Sequence, residues 1–178
     1  MHLPEISGFA VAQMTVADAE DWAQYAVLPE SNQFVSTLTR SAADIVGMIE
    51  RTLSGDPNAP VLFAVREPAT RRFAASVGFH TVSSLNRTAE ITYTVHPELW
   101  GSGIATAACA AAVRWAFEHK GWVRVQAATL EEHKASQRVL LKCGFALEGK
   151  LRNFRVVRGQ PRDYLLYSIV PGRTESAA

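Results

Sequence analysis

Trp100-Gly101-Ser102-Gly103-Ile104-Ala105-Thr106 is the segment whose residue types and spacing point most directly to chemistry. Two glycines let the backbone turn its amides toward one point. The run behind them, once helical, adds unsatisfied N–H groups and a partial positive charge. Such a loop suits a phosphate or pyrophosphate, although the same letters also serve tight packing of a turn against a helix. A nucleoside-triphosphate loop needs Gly-Lys-Ser/Thr, and Gly103-Ile104-Ala105 supplies neither the lysine nor the hydroxyl. A dinucleotide fingerprint needs Gly or Ala three positions past Gly103 and an acid at the end of the next strand; Thr106 and Gln126 stand there instead. His80, His96, His119 and His133 lack metal-ligand spacing, and no Gly-x-Ser-x-Gly occurs. Cys109 and Cys143 fall on inward positions of apolar runs and read as structural thiols. Metal, serine-hydrolase and cysteine-nucleophile chemistries are set aside.

The loop needs a strand before it and a helix after it. Ile91-Thr92-Tyr93-Thr94-Val95 alternates bulky and hydroxyl side chains, so Glu90, Thr92 and Thr94 share one strand face and Ile91, Tyr93 and Val95 the other, with Pro97 ending the strand. Ile104 to His119 holds seven alanines between Ala105 and Ala116 and is followed by Gly121, which predicts a helix able to lie close on a sheet. Val123 to Ala127 is the next strand, implying a βαβ crossover. Upstream, Asp18 is placed to cap a first helix. Ser41-Ala42-Ala43-Asp44 resembles a capping box for a second, with Ile45, Ile49 and Leu53 at helical spacing before Gly55-Asp56-Pro57. Val61 to Val65 and Phe73 to Phe79 read as a hairpin. Lys134 to Lys142 reads as a short helix with Val139, Leu140 and Cys143 inward and Gly144 at its end. A strand from Phe145 and another over Tyr164 to Val170, joined by a turn at Arg158-Gly159-Gln160-Pro161, close the chain. The predicted order is β-α-α-β-β-β-α-β-α-β-β, a mixed α/β (α+β) domain.

With 178 residues, 48% hydrophobic and 20% charged, the expectation is one globular domain over 1–178 with a frayed tail at 171–178. Eighteen Lys and Arg against seventeen Asp and Glu give a formal +1, no field for binding nucleic acid or an anionic membrane. Two cysteines, no signal-peptide layout and no stretch of about 20 apolar residues make a cytoplasmic location the expectation.

Three segments together resemble the GCN5-related N-acetyltransferase superfamily, in its RimJ/RimL-like branch: Trp100 to Thr106, His133-Lys134-Ala135-Ser136-Gln137-Arg138 through Gly144-Phe145, and Asp163 to Ser168. The resemblance is specific over about residues 89 to 170 and compatible upstream. It implies a mixed, mostly antiparallel sheet that opens where acetyl-coenzyme A enters. It places Tyr93, Thr94 and Val95 on the pantetheine and Gly101, Ser102, Gly103, Ile104, Ala105 and Thr106 on the phosphates. His133 holds the place where an asparagine usually bonds the cofactor arm, and Trp100 the place of a Gln or Arg.

Acetyl transfer to an amine needs a base, because amines of pKa about 8 to 10.4 are protonated near neutrality. Glu90, at the start of the strand leading to the loop, is the expected base; the other reading is an exposed strand-end carboxylate paired with an arginine. Relatives commonly place a tyrosine at the position of Leu140 and a glutamate at that of Ala128, and this chain has neither. RimJ/RimL-like enzymes retain a serine at the position of Ser136, so the resemblance implies Ser136 as the partner of the coenzyme sulfur, the alternative being a helix serine bonding its own backbone. Tyr164 and Tyr167 are expected to alternate across the last strand, and Arg152, Arg155, Arg158 and Arg162 either to solvate a hairpin or to meet an acidic substrate. The implied partner is a primary amine, foremost a protein N-terminus of ribosomal-protein type. The alternatives are a small amine such as an antibiotic, polyamine or amino-acid derivative, or a non-catalytic acyl-coenzyme A sensor. Monomer and homodimer are both compatible.

Overall fold

The computed structural model describes residues 2–36 and 38–172, so the tail expected to fray lies, from residue 173 on, outside the described residues. The chain runs through β1 (Ala10–Gln13), a 3-10 turn (Val16–Asp18), α1 (Ala19–Ala26), α2 (Pro29–Asn32) and α3 (Ala42–Thr52). It continues through β2 (Val61–Arg66), β3 (Phe73–Ser83), β4 (Thr88–Val95), a 3-10 turn (Pro97–Leu99), α4 (Ile104–Lys120) and β5 (Arg124–Leu130). It ends with α5 (Lys134–Lys142), β6 (Ala146–Val157) and β7 (Gln160–Ile169). Local signals explain most of these. Ser41 accepts the Asp44 N–H and Asp44 answers the Ser41 N–H, the expected capping box of α3. Gly121 closes α4 in the left-handed region.

Three local expectations are corrected. Asp18 does not cap α1 with its side chain. Its carboxylate accepts the Thr15 N–H at 2.7 Å, closing a capping box one turn earlier, and pairs with Arg66 at 2.7 Å. Leu53 is not part of the buried stripe, since α3 stops at Thr52 and leaves it 54% exposed. The short α2, started by Pro29, had no periodicity to announce it.

The seven strands form one sheet in the order β1-β2-β3-β4-β5-β7-β6. All pairings are antiparallel except β4 with β5, the two strands joined by the α4 crossover. That parallel pairing lasts only from Thr88 to Glu90 opposite Arg124 to Gln126. Beyond it, β4 stays with β3 and β5 stays with β7 out to Leu130, so the sheet splits into a wedge with Glu90 at its vertex.

Each face is covered. On one, Ala108, Ala111, Ala112 and Ala116 of α4 are buried against Phe63, Val77, Phe79 and Val125; small side chains let the helix lie close, and Trp115 meets Phe63 edge-on at 4.9 Å. On the other, α1 and α3 bury Trp22, Tyr25, Ile45 and Ile49 against Leu62, Ala64 and Phe73. Fully burying each large apolar side chain of this kind contributes about 1.5–3 kcal/mol.

Candidate active site at the split in the sheet

The wedge has an unpaired edge. His96 N–H donates to the Ala74 carbonyl at 2.9 Å, and with the β3–β4 register this gives the even-numbered residues of β4 to β3. The main-chain groups of Ile91, Tyr93 and Val95 therefore turn toward the opening. The Val95 carbonyl accepts the Trp100 indole N–H at 2.8 Å, which ties the loop after β4 back onto the strand. Gly101 and Gly103 have φ of +80° and +89°. A Cβ on either would meet nothing within 4 Å, so conformation and not space requires glycine here. Ser102 spends its hydroxyl on the Leu99 carbonyl at 2.6 Å. Gly103 caps α4 without a side chain, leaving the amides of Ile104, Ala105 and Thr106 to an anion, while the Ile104 side chain is buried in the core. Gly101 to Thr106 thus run as one turn into the N-terminus of α4 at the mouth of the wedge, with the Ser102 N–H already given to the Leu99 carbonyl at 3.3 Å.

The three residues expected along the pantetheine differ in what they have to give. Tyr93 points to the α4 face, where its hydroxyl and that of Ser136 lie 2.9 Å apart. Burial pushes the Tyr93 phenol well above its ordinary value, so it acts as a hydrogen-bond donor and not a phenolate. Val95 offers main chain already shared with Trp100. Thr94 is committed elsewhere: its hydroxyl lies 2.8 Å from those of Tyr25 and Ser76 and accepts the Trp22 indole N–H at 3.2 Å, and its main chain faces β3. His133, just before α5, stacks on Phe34 with centroids 4.2 Å apart, and burial lowers its pKa to about 4. It is neutral, with one ring nitrogen to donate and one to accept.

Glu90 is 2% exposed. Its Oε1 accepts from the Arg155 guanidinium at 2.7 Å and lies 3.7 Å from His80 Nε2. Glu90, Thr92 and Thr94 share the α1 face as the alternation predicts, whereas Ser136 and Tyr93 lie on the α4 face. The two residues expected to act on the reaction therefore approach the opening from opposite sides of the sheet. Arg155 reaches Glu90 from β6, its guanidinium 5.0 Å from the Phe154 ring centroid and 5.3 Å from that of Tyr164. The arginine pairing weighed for Glu90 is present, but in a buried position.

The acetyltransferase (GNAT) domain description matches residues 10–146, most of the chain and all of this site's first half. The chain belongs to the GNAT acetyltransferase family. The uncharacterized N-acetyltransferase YoaA of Bacillus subtilis is 34% identical over 113 residues, 64% of this chain and 64% of YoaA, so the match spans less than two thirds of that relative. The ribosomal-protein-S5-alanine acetyltransferase of Vibrio fischeri superposes with a TM-score of 0.84 at 18% identity, covering 97% of this chain and 98% of that one. RimJ of Mycobacterium smegmatis, in complex with CoA-disulfide, superposes at 0.82 with 21% identity over 95% and 85% of the two chains. The same GNAT fold is shared with a spermidine N-acetyltransferase of Vibrio cholerae, at a TM-score of 0.77. The seven-stranded, mostly antiparallel sheet flanked by helices is the GNAT fold expected from the sequence.

Within this GNAT site, sequence reasoning missed His80, Arg155 and Phe34. His80 pairs in register with Glu90, a signal available only once the β3–β4 hairpin is in place. Arg155 stood among four hairpin arginines, and the structure separates them: Arg155 goes to Glu90, Arg158 donates to the Asn32 carbonyl at 2.6 Å, and Arg162 pairs with Glu132. Three of the four are thus spent inside the molecule. Tyr164 and Tyr167 do alternate across β7 and are both buried, on opposite faces. The Tyr164 and Thr129 hydroxyls are buried with no hydrogen-bond partner among the described residues. Cys143 donates to the Thr106 carbonyl at 3.4 Å, and the neighbouring Cys143 thiol together with burial holds Cys109 well above its ordinary pKa. Both are structural links between α4 and α5.

Proposed function

We propose that the protein transfers an acetyl group from acetyl-coenzyme A to a primary amine by direct attack, foremost to the N-terminal amine of a protein. The observation that carries this is the split between β4 and β5. It sets a free main-chain edge and an open amide cradle against one side of a vertex whose other side holds a buried carboxylate. The donor-set chemistry fits: amides suit a pyrophosphate, and an unpaired strand edge suits the amides of a pantetheine arm. Acetyl-coenzyme A supplies the thioester and the thiol leaving group. Main chain at Ile91 and Tyr93 aligns the arm, and His133 is placed to give it one side-chain bond. Glu90, its carboxylate oriented by Arg155, takes the proton of the incoming amine so that its lone pair is free. Ser136, its hydroxyl fixed by Tyr93, bonds the sulfur on the α4 face.

An acceptor with one amine is favoured over a polyamine by the charges around the β6–β7 hairpin. Lys150 is shared by Glu131 and Asp163, and Arg162 pairs with Glu132, so among the described residues of this hairpin each of these acids already has a cationic partner, and a polycation also meets Arg155. The likeness to an S5-alanine acetyltransferase supports a peptide amine on the same side. The test measures coenzyme A thiol release with two acceptor pools, peptides of varied N-terminal residue and small amines. Turnover confined to the small-amine pool rejects the protein acceptor, and silence in both pools with coenzyme A bound makes the protein a sensor.

A further inference from the structure

We infer that His80 is the proton exit of the site: it takes from Glu90 the proton that Glu90 takes from the acceptor amine, and gives it to solvent. The inference rests on the proposed acetyl transfer. Glu90 is the buried member of the pair, with 3% of its side chain exposed, and a proton left on it blocks the next turnover. His80 is the adjoining group with a way out. It lies opposite Glu90 in the β3–β4 register, on the same sheet face, with 36% of its side chain in solvent and Nε2 3.7 Å from Oε1. Its Nδ1 and the Thr81 hydroxyl lie 2.8 Å apart, which holds the ring with Nε2 toward the carboxylate.

The charged groups that face the ring are Glu90 from β4 and Arg155 from β6. Desolvation lowers the His80 pKa and Arg155 lowers it further, while Glu90 opposes them; the net direction is down, so the imidazole is neutral near pH 7 and able to accept. The step balances. The ammonium N–H bond breaks and a Glu90 O–H forms; that O–H breaks and His80 Nε2–H forms; the imidazolium then releases the proton to water, and Glu90 returns as carboxylate. The spacing of 3.7 Å is loose for a hydrogen bond, as catalytic contacts often are without substrate, and tightens once Glu90 carries a proton to donate. His80 acts through Glu90, so it is a positioning residue for the proton and not a group that touches the acceptor.

The experiment compares the wild-type chain with His80→Gln, reading kcat against pH, KM for acetyl-coenzyme A, and imidazole rescue of His80→Ala. The expected result is a fall in kcat of about tenfold, below the 10²–10⁴ lost when a direct acid–base group is removed. KM should be unchanged, the acid-side inflection below pH 6.5 lost, and turnover of His80→Ala raised by added imidazole. Wild-type turnover with an unchanged profile in His80→Gln overturns the role of His80 alone, whereas no transfer by the wild type to any amine overturns the acetyl-transfer reading and this inference with it. Nitrogen-15 NMR of the unsubstituted protein is independent of variant folding. Nε2 of His80 should carry no proton at pH 7, and a protonated Nε2 there overturns the proposal.

Discussion

Glu90→Gln keeps the shape of the side chain and its bond from Arg155 but cannot take a proton, so it separates chemistry from binding. The expected outcome is a loss of roughly 10²–10³ in kcat with coenzyme A affinity unchanged, because Glu90 lies across the sheet from the amide cradle. Stopped-time thiol release and calorimetric titration of coenzyme A measure the two halves. A parallel fall in affinity would mean that the ion pair with Arg155 holds the wedge open and that Glu90 is structural. Position on strand and face was legible in the sequence for this residue, since alternation fixes it locally. Its burial was not, because Arg155 arrives from a hairpin 65 residues later, a distance over which no periodicity carries information.

At the scale of elements, the wedge exists only while its two walls hold. The wall formed by β2, β3 and β4 depends on Gly78, where a Cβ would lie 2.0 Å from the Val61 carbonyl oxygen and 2.8 Å from Leu62 Cα, main chain that cannot move aside. Gly78→Ala is expected to destabilise by about 3 kcal/mol or more, at the severe end for a single substitution, as read by chemical denaturation. Gly103→Ala meets no such neighbour and is expected to cost only about 1 kcal/mol of backbone strain, appearing as weaker coenzyme A binding more than as lost stability. The other wall is clamped by Arg124 of β5, which grips Glu148 of β6 with two 2.6 Å bonds across β7. Hydrogen bonds from Arg124 and Ser168 lower the Glu148 pKa from its ordinary 4.5 to about 2. A carboxylate depressed in the folded state stabilises above its unfolded pKa and loses that contribution as pH falls through the folded one. The melting-temperature advantage of the wild type over Glu148→Gln should therefore be full at pH 6 and shrink between pH 4.5 and about 2. An advantage that persists at pH 2 would show that shape and not charge joins the strands. These elements were nearly all foreseeable, from the Ser41–Asp44 box to the alanine helix, because caps and periodicity are local. The short α2 was not, since it depends on a single Pro29, and the break in the β4–β5 ladder was expected only through the family resemblance, since no local signal records which neighbour each strand follows.

At the scale of the whole molecule, the split sheet is a fold left unfinished on purpose: strand edge and helix amides that other proteins pair internally remain available to a ligand at the centre of the structure. Binding there ties the β2–β4 wall to the β5–β7 wall, so it should stabilise both walls at once and not merely order a loop. Coenzyme A at about 100 times its dissociation constant contributes about 2.7 kcal/mol by mass action. For a chain of 178 residues this is a rise in melting temperature of roughly 5–10 °C, still as one transition. If coenzyme A instead split the melting curve into two transitions, the ligand would be bound to one wall only. The wedge would then be a cleft between independently stable halves, and the shared vertex at Glu90 could not couple cradle to carboxylate as the proposed transfer requires.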